Sequence, residues 1–164
     1  MRILGIDPGY DRIGIAVIEN KNLIHSECFS TSSRDNFHIR LKEIGQRVNE
    51  IIKEYSPDAM AIESLFITKN QKTAMKVAEA RGVISYEASL VNIPIYEYSP
   101  PQIKVAVTGH GASNKTHITK MIPLLIKMNV KDDKKKILDD EYDAIAVALT
   151  CQAHRGNSKM VIHK

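Results

Sequence analysis

Hydrophobic residues open the chain in short blocks separated by turn formers. Residues 1–7 form an apolar run ending on Asp7; Gly14-Ile15-Ala16-Val17-Ile18 and the stretch 22–30 follow, with Pro8-Gly9 and Asn20-Lys21-Asn22 between them. Blocks of this length and punctuation predict strands, here a three-stranded antiparallel meander with Asp7 at the end of its first strand. The period then changes. Over 36–55, Ile39, Leu41, Ile44, Val48, Ile51 and Ile52 recur at helical spacing with charges between them, and Pro57 follows, which predicts an amphipathic helix. Ala59-Met60-Ala61-Ile62 is a short apolar run ending on Glu63, the pattern of a buried strand that presents a carboxylate at its C-terminal end. An alanine-rich helical pattern covers 72–91, and 93–98 is another short strand. Pro100-Pro101 begins a helix that Gly109-His110-Gly111 breaks, and Ser113 is placed to cap the next, which runs to residue 128. Residues 131–136 read as a polar loop. The last helix runs from Asp139 or Asp140 to His154, with its acids at the end that the macrodipole favours.

The order β-β-β-α-β-α-β-α-α-α predicts an α/β fold: a five-stranded mixed sheet, an antiparallel meander followed by parallel strands, with helices on both faces. The length of 164 residues suits one domain, over 1–155, with a polar, flexible tail over 156–164. Hydrophobic residues at 43% and charged residues at 26% disfavour both a disordered chain and a membrane protein. No apolar run approaches the roughly 20 residues that cross a bilayer. Asp7 and the glycines around it interrupt any signal-peptide core, so a cytoplasmic protein is expected. Cys28 and Cys151 lie far apart without metal-ligand spacing and are read as free thiols. A net charge of +4 permits an anionic partner, and with 5% aromatics and no tryptophan any base-stacking role falls on one or two rings.

Four acids stand out by position. Asp7 and Glu63 close predicted strands, and Asp140 and Asp143 lie three apart, hence on one face of the last helix. Convergent carboxylates repel one another, and such a set is stable only with protons or cations among them. Oxygen donors without histidine or cysteine select hard cations, Mg²⁺ or Mn²⁺, and two such ions about 3.5–4 Å apart catalyse in-line phosphoryl transfer. The plainer reading is that each acid caps an element or faces water. Asp7-Pro8-Gly9 followed by Gly14-Ile15-Ala16-Val17 also matches the opening of the phosphate-binding hairpin in sugar-kinase and actin-like ATPases. Those proteins close a nucleotide between two domains, whereas 164 residues hold one. Neither a Walker-type Gly-x-x-x-x-Gly-Lys-Ser/Thr nor a Gly-x-Gly-x-x-Gly occurs.

Ile3-Leu4-Gly5-Ile6-Asp7-Pro8-Gly9, Ile62-Glu63-Ser64-Leu65-Phe66 with Lys69-Asn70, Ala80-Arg81-Gly82-Val83 and Asp140-Glu141-Tyr142-Asp143-Ala144 closely resemble the RuvC Holliday junction resolvases, in order and at matching spacing. The resemblance implies a ribonuclease-H-like fold, a homodimer, and Mg²⁺-dependent, structure-selective cleavage of four-way DNA junctions in recombination and repair. Matched position by position, the family's metal-binding acids fall on Asp7, Glu63, Asp140 and Asp143, with two Mg²⁺ per site and Mn²⁺ able to substitute. Asp139 and Glu141 crowd Asp140, which is preferred because it lies one helical turn before Asp143.

Phe66 resembles the family's aromatic that stacks on or wedges between bases at the junction centre, a contact worth roughly 1–3 kcal/mol per base. Lys104 and Lys115 resemble two basic residues used near the cleaved strand, where a lysine contacts phosphate and offsets charge building up in the transition state. Lys69, Lys72, Lys76 and Arg81 are further candidates for DNA backbone contacts. His117 stands where the family commonly has glutamine, and residues 134–136 read as a solvated mixed-charge loop. The alanine-rich segment with Ala74, Met75, Val77, Ala78, Ala80 and Val83 is a candidate dimer contact, and RuvA and RuvB, the branch-migration proteins, are implied partners. Two other classes compete: a ribonuclease-H-like nuclease acting on RNA–DNA hybrids or simple duplexes, and a non-catalytic junction-binding protein.

Overall fold

Strand β1 (Arg2–Asp7) sets the layout, because successive side chains on it point into two different cores. The computed structural model describes residues 1–65, 71–128 and 137–157. Ile3 packs with Ile103, Val107, Ile118, Ile122 and Ala144 to Ala148, while Leu4 and Ile6 pack with Ile44, Val48, Ile51, Ile84 and Ala88. By the same alternation Gly5 and Asp7 share the face of Ile3. Each fully buried isoleucine or leucine contributes about 1.5–3 kcal/mol, so a one-residue slip of β1 would forfeit several such terms at once.

β2 (Arg12–Glu19) and β3 (Asn22–Ser30) complete the antiparallel meander. Helix α1 (Phe37–Tyr55) stops at Ser56, which takes a left-handed conformation ahead of Pro57. β4 (Ala59–Glu63) then enters parallel to β1 with Ile62 opposite Ile6. After α2 (Gln71–Leu90), β5 (Ile95–Tyr98) adds parallel to β4. Helix α3 (Pro100–Thr108) starts from a capping box between Ser99 and Gln102 and stops at Gly109, whose φ of 75° suits glycine. α4 (Lys115–Leu125), β6 (Lys127–Met128) and α5 (Asp139–Asn157) complete the described elements. The strand order is β5-β4-β1-β2-β3-β6, with α1 and α2 on one face and α3, α4 and α5 on the other.

The meander and the helices on both faces match expectation, but the sheet has six strands rather than five. Helix α4 ends at Leu125 because Ile126 is extended and Lys127 N–H donates to Lys21 O at 2.8 Å, pairing β6 with the start of β3. Its cap is Asn114, not Ser113: Asn114 Oδ1 accepts from His117 N–H at 2.9 Å, while the Ser113 hydroxyl turns 2.7 Å from Thr108 Oγ1. Helix α5 runs to Asn157, past the expected start of the tail. Phe66, Lys69, the expected loop over 131–136 and the rest of the tail lie outside the described residues. Both cysteines are free thiols, and no described helix is long and apolar enough to cross a membrane.

Two glycines decide how close α5 comes to the sheet. A Cβ on Gly5 would stand 2.3 Å from Ala144 O, and one on Gly14 only 1.9 Å from Asp140 O. With hydrogen at both positions, the helix lies directly on β1 and β2 and its first turn reaches the sheet edge where Asp7 ends.

Candidate active site

Register and alternation put Asp7 and Glu63 side by side at the C-terminal ends of β1 and β4, both on the face that carries α5. Their carboxyl groups are hydrogen-bonded to each other. Burial first, then the charges of Glu63 and Asp143, push the Asp7 carboxyl up to about 8. Burial also raises Glu63 and Asp143, against the opposing pull of Lys115 on both. Three acids from three elements thus share one desolvated corner, and a proton stays there at neutral pH.

Cationic side chains flank the corner. Lys115, at the start of α4, donates from Nζ to Asp143 Oδ2 at 2.8 Å and stands 3.7 Å from Asp139. Burial alone would lower the Lys115 ammonium, but its bond to Asp143 and the nearby aspartates hold it above the ordinary range. Arg12, at the start of β2, pairs with Asp140 and donates from Nε to Cys28 Sγ at 3.3 Å. Cys28 Sγ in turn lies 3.6 Å from Asp140 Oδ2. As these side chains stand, no three histidine, cysteine, aspartate or glutamate groups among the described residues cluster tightly enough to hold a metal ion; Asp140 leans onto Arg12 and Asp143 onto Lys115. The donor chemistry nonetheless fits a hard divalent cation, since oxygen-only ligands crowded enough to retain a proton are what such an ion neutralises.

Beside the acids runs a cleft of about 220 Å³ lined by Glu63, Asp143, Lys104 and Lys115, with Pro100 and Ile103 forming part of its wall. The expected lysine pair therefore meets two of the expected acids. Lys72 is exposed on the first turn of α2, and the Lys76 ammonium sits 5.1 Å from the centre of the Tyr10 ring and 5.5 Å from that of Phe37. The Arg81 side chain is only 15% exposed and its guanidinium is bound to Glu97 at 2.9 Å, tying α2 to β5. Asp139 is solvent-facing, and Glu141 is buried and turned away toward β3. Arg12, Ser26 and Cys28 were not among the expected residues, and no local pattern marks them. Arg12 and Cys28 reach Asp140, and Ser26 reaches the buried Glu141, only because β2 and β3 pair beside α5.

A mixed sheet in this order, with a C-terminal helix laid across its first strand, is the ribonuclease-H-like nuclease fold. Within that class, the family model of crossover junction endodeoxyribonuclease RuvC matches residues 3–151. The RuvC of Petrotoga mobilis is 46% identical over 152 residues, covering 90% of this chain and 91% of that one. The RuvC of Brachyspira hyodysenteriae is 42% identical over 164 residues, covering 98% and 97%. A structure of T. thermophilus RuvC in complex with Holliday junction substrate superposes with a TM-score of 0.85 at 31% identity, over 95% of this chain and 96% of that chain. The fowlpox virus resolvase, at 16% identity and a TM-score of 0.61 over 93% and 99%, shares the fold. The chain belongs to the RuvC family of crossover junction endodeoxyribonucleases.

Proposed function

We propose that this protein resolves four-way DNA junctions by paired, symmetric nicks that leave 5′-phosphate and 3′-hydroxyl ends, using two Mg²⁺ per active site, with Mn²⁺ able to substitute. The observation that carries the reading is the meeting of Asp7, Glu63 and Asp143 in one desolvated corner beside a lysine-lined cleft, in a chain of this family. Asp7, Glu63, Asp140 and Asp143 would hold the ions. Bound there, divalent ions supply the Lewis acidity that activates water and stabilises the departing 3′ oxygen. Lys115 and Lys104 face the same cleft and offset negative charge on the phosphate as it reacts. Lys72, Lys76 and Lys69 supply DNA backbone contacts, and Phe66, three residues past Glu63, supplies the stacking ring at the junction centre.

A four-way junction has near two-fold symmetry, so a C2 dimer presents two identical sites to opposed strands. The exposed side chains Met75, Tyr86 and Leu90 line one side of α2 and support a dimer contact there. RuvA and RuvB are the partners that family membership suggests. The test is to incubate the protein with a labelled four-way junction and its matched linear duplex, in Mg²⁺ and in Ca²⁺, beside an Asp7→Asn variant. Ligatable paired nicks on the junction alone, lost in Ca²⁺ and in the variant, are expected. Cutting of RNA–DNA hybrids or plain duplex in preference would move the assignment to another ribonuclease-H-like nuclease, and tight binding with no cutting would move it to a binding protein.

A further inference from the structure

Glu141 sits between two candidate metal ligands in sequence, yet only 1% of it is exposed and it faces away from them. Its Oε2 accepts from the Ser26 hydroxyl of β3 at 2.7 Å, and its Oε1 accepts from the Leu138 backbone N–H at 3.1 Å. A carboxylate is rarely buried without a cation, so two directed hydrogen bonds in that place mark a specific task. One bond closes the first turn of α5 onto itself, and the other ties that turn to the sheet. Ser26 stands opposite Ala16 in the β2–β3 register, and Cys28, two residues on, stands opposite Gly14 and reaches Asp140. The same row of β3 thus holds Glu141 at one point and meets Asp140 at the next.

We infer that Glu141 is a positioning residue, which with Ser26 fixes the first turn of α5 on β3 and so presents Asp140 and Asp143 to the corner of Asp7 and Glu63, where divalent ions would bind. Gly5 and Gly14 set how near the helix lies, but contact with a glycine does not stop the helix sliding or turning on the sheet. The Ser26–Glu141 bond does, because it is directional and anchored on a different strand. Displacement of a reacting group by about 1 Å can lower a rate on the order of 10²-fold, so such an anchor is felt in the chemistry before it is felt in folding.

The inference rests on the nuclease reading above, and the experiment separates the two. Glu141→Ala, Glu141→Gln and Ser26→Ala are compared with the parent protein for Mn²⁺ affinity by titration calorimetry, for single-turnover nicking of a labelled junction, for junction binding in Ca²⁺, and for melting temperature. Glu141→Ala is expected to weaken Mn²⁺ binding and slow nicking about 10–100-fold while junction binding in Ca²⁺ stays within about threefold. Glutamine can accept from Leu138 N–H and donate to the Ser26 hydroxyl, so Glu141→Gln should recover Mn²⁺ affinity and rate to within about threefold. Ser26→Ala, which removes only the tie to β3, should fall between them, and it decides the matter if Glu141→Ala does not fold. A lowered melting temperature with parental Mn²⁺ affinity and nicking rate in both alanine variants would overturn the role, as would a glutamine variant as impaired as alanine. If the parent itself binds no Mn²⁺ and nicks no junction, the nuclease reading fails, and the positioning role fails with it.

Discussion

A carboxyl held at about 8 keeps its proton across the range in which an ordinary aspartate, at 3.8, has lost it. Between those two values the folded protein binds a proton that the unfolded chain has released. The stability linked to Asp7 is therefore full below pH 3.8, declines as pH rises, and is gone above about pH 8. In EDTA the melting temperature should fall from pH 5 to pH 8, and Asp7→Asn, which cannot ionise, should melt about 3 °C or more above the parent at pH 8. Adding Mg²⁺ at pH 8 should raise the parent more than the variant. Identical melting curves for the two at pH 8 would mean that no unfavourable charge is buried there. For Lys115 the expectation is kinetic: Lys115→Ala should slow single-turnover nicking about 10²-fold or more, with junction binding in Ca²⁺ little changed. Equal losses in binding and rate would reduce Lys115 to a simple phosphate contact. Asp7 and Glu63 were readable as candidate site residues because a buried strand that ends abruptly on an acid has few other uses for it. Arg12 was not, because its partner Asp140 is 128 residues away and only the fold makes them neighbours.

At the scale of elements, the site depends on how α5 lies across β1 and β2. Gly14→Ala would press a methyl group against the Asp140 carbonyl, and because the obstacle is backbone on both sides, the helix must lift. Overpacking of this kind costs about 1–3 kcal/mol, measurable by urea denaturation, and nicking should be lost along with it because Asp140 moves with its own carbonyl. Unchanged activity in that variant would show that the helix can shift without disturbing the acids. Helix α1 followed from periodicity because one of its faces is buried, and β1 and β4 followed from unbroken apolar runs because both of theirs are. Periodicity failed at the end of α4, where Ile126 to Met128 carry no helix-stopping signal of their own. There the backbone groups of Lys127 and Lys21 meet, and tertiary pairing overrides local preference. The choice between Ser113 and Asn114 was likewise made by a neighbour, since Thr108 takes the serine hydroxyl and leaves asparagine to cap.

For the whole molecule the question is symmetry. Met75 and Tyr86 are 65% and 61% exposed, and with Leu90 they lie along one side of α2, apolar surface that a second copy can bury about a two-fold axis. Tyr86→Glu should shift sedimentation at micromolar concentration toward the 18.4 kDa monomer, and junction nicks should then appear singly instead of in pairs. A parent protein that sediments as a monomer would sink the dimer and this prediction together.

The order of strands and helices as far as α4, the two strand-end acids and the acid pair one helical turn apart on α5 were determined by the sequence alone, because each rests on a period or a boundary within a few residues. Other features were decided by tertiary structure: Arg81 committed to Glu97, Arg12 set on Asp140, and Glu141 turned from its acidic neighbours to Ser26. A charged side chain takes the partner that burial and register bring to it, and in this fold those partners come from strands and helices far away in sequence.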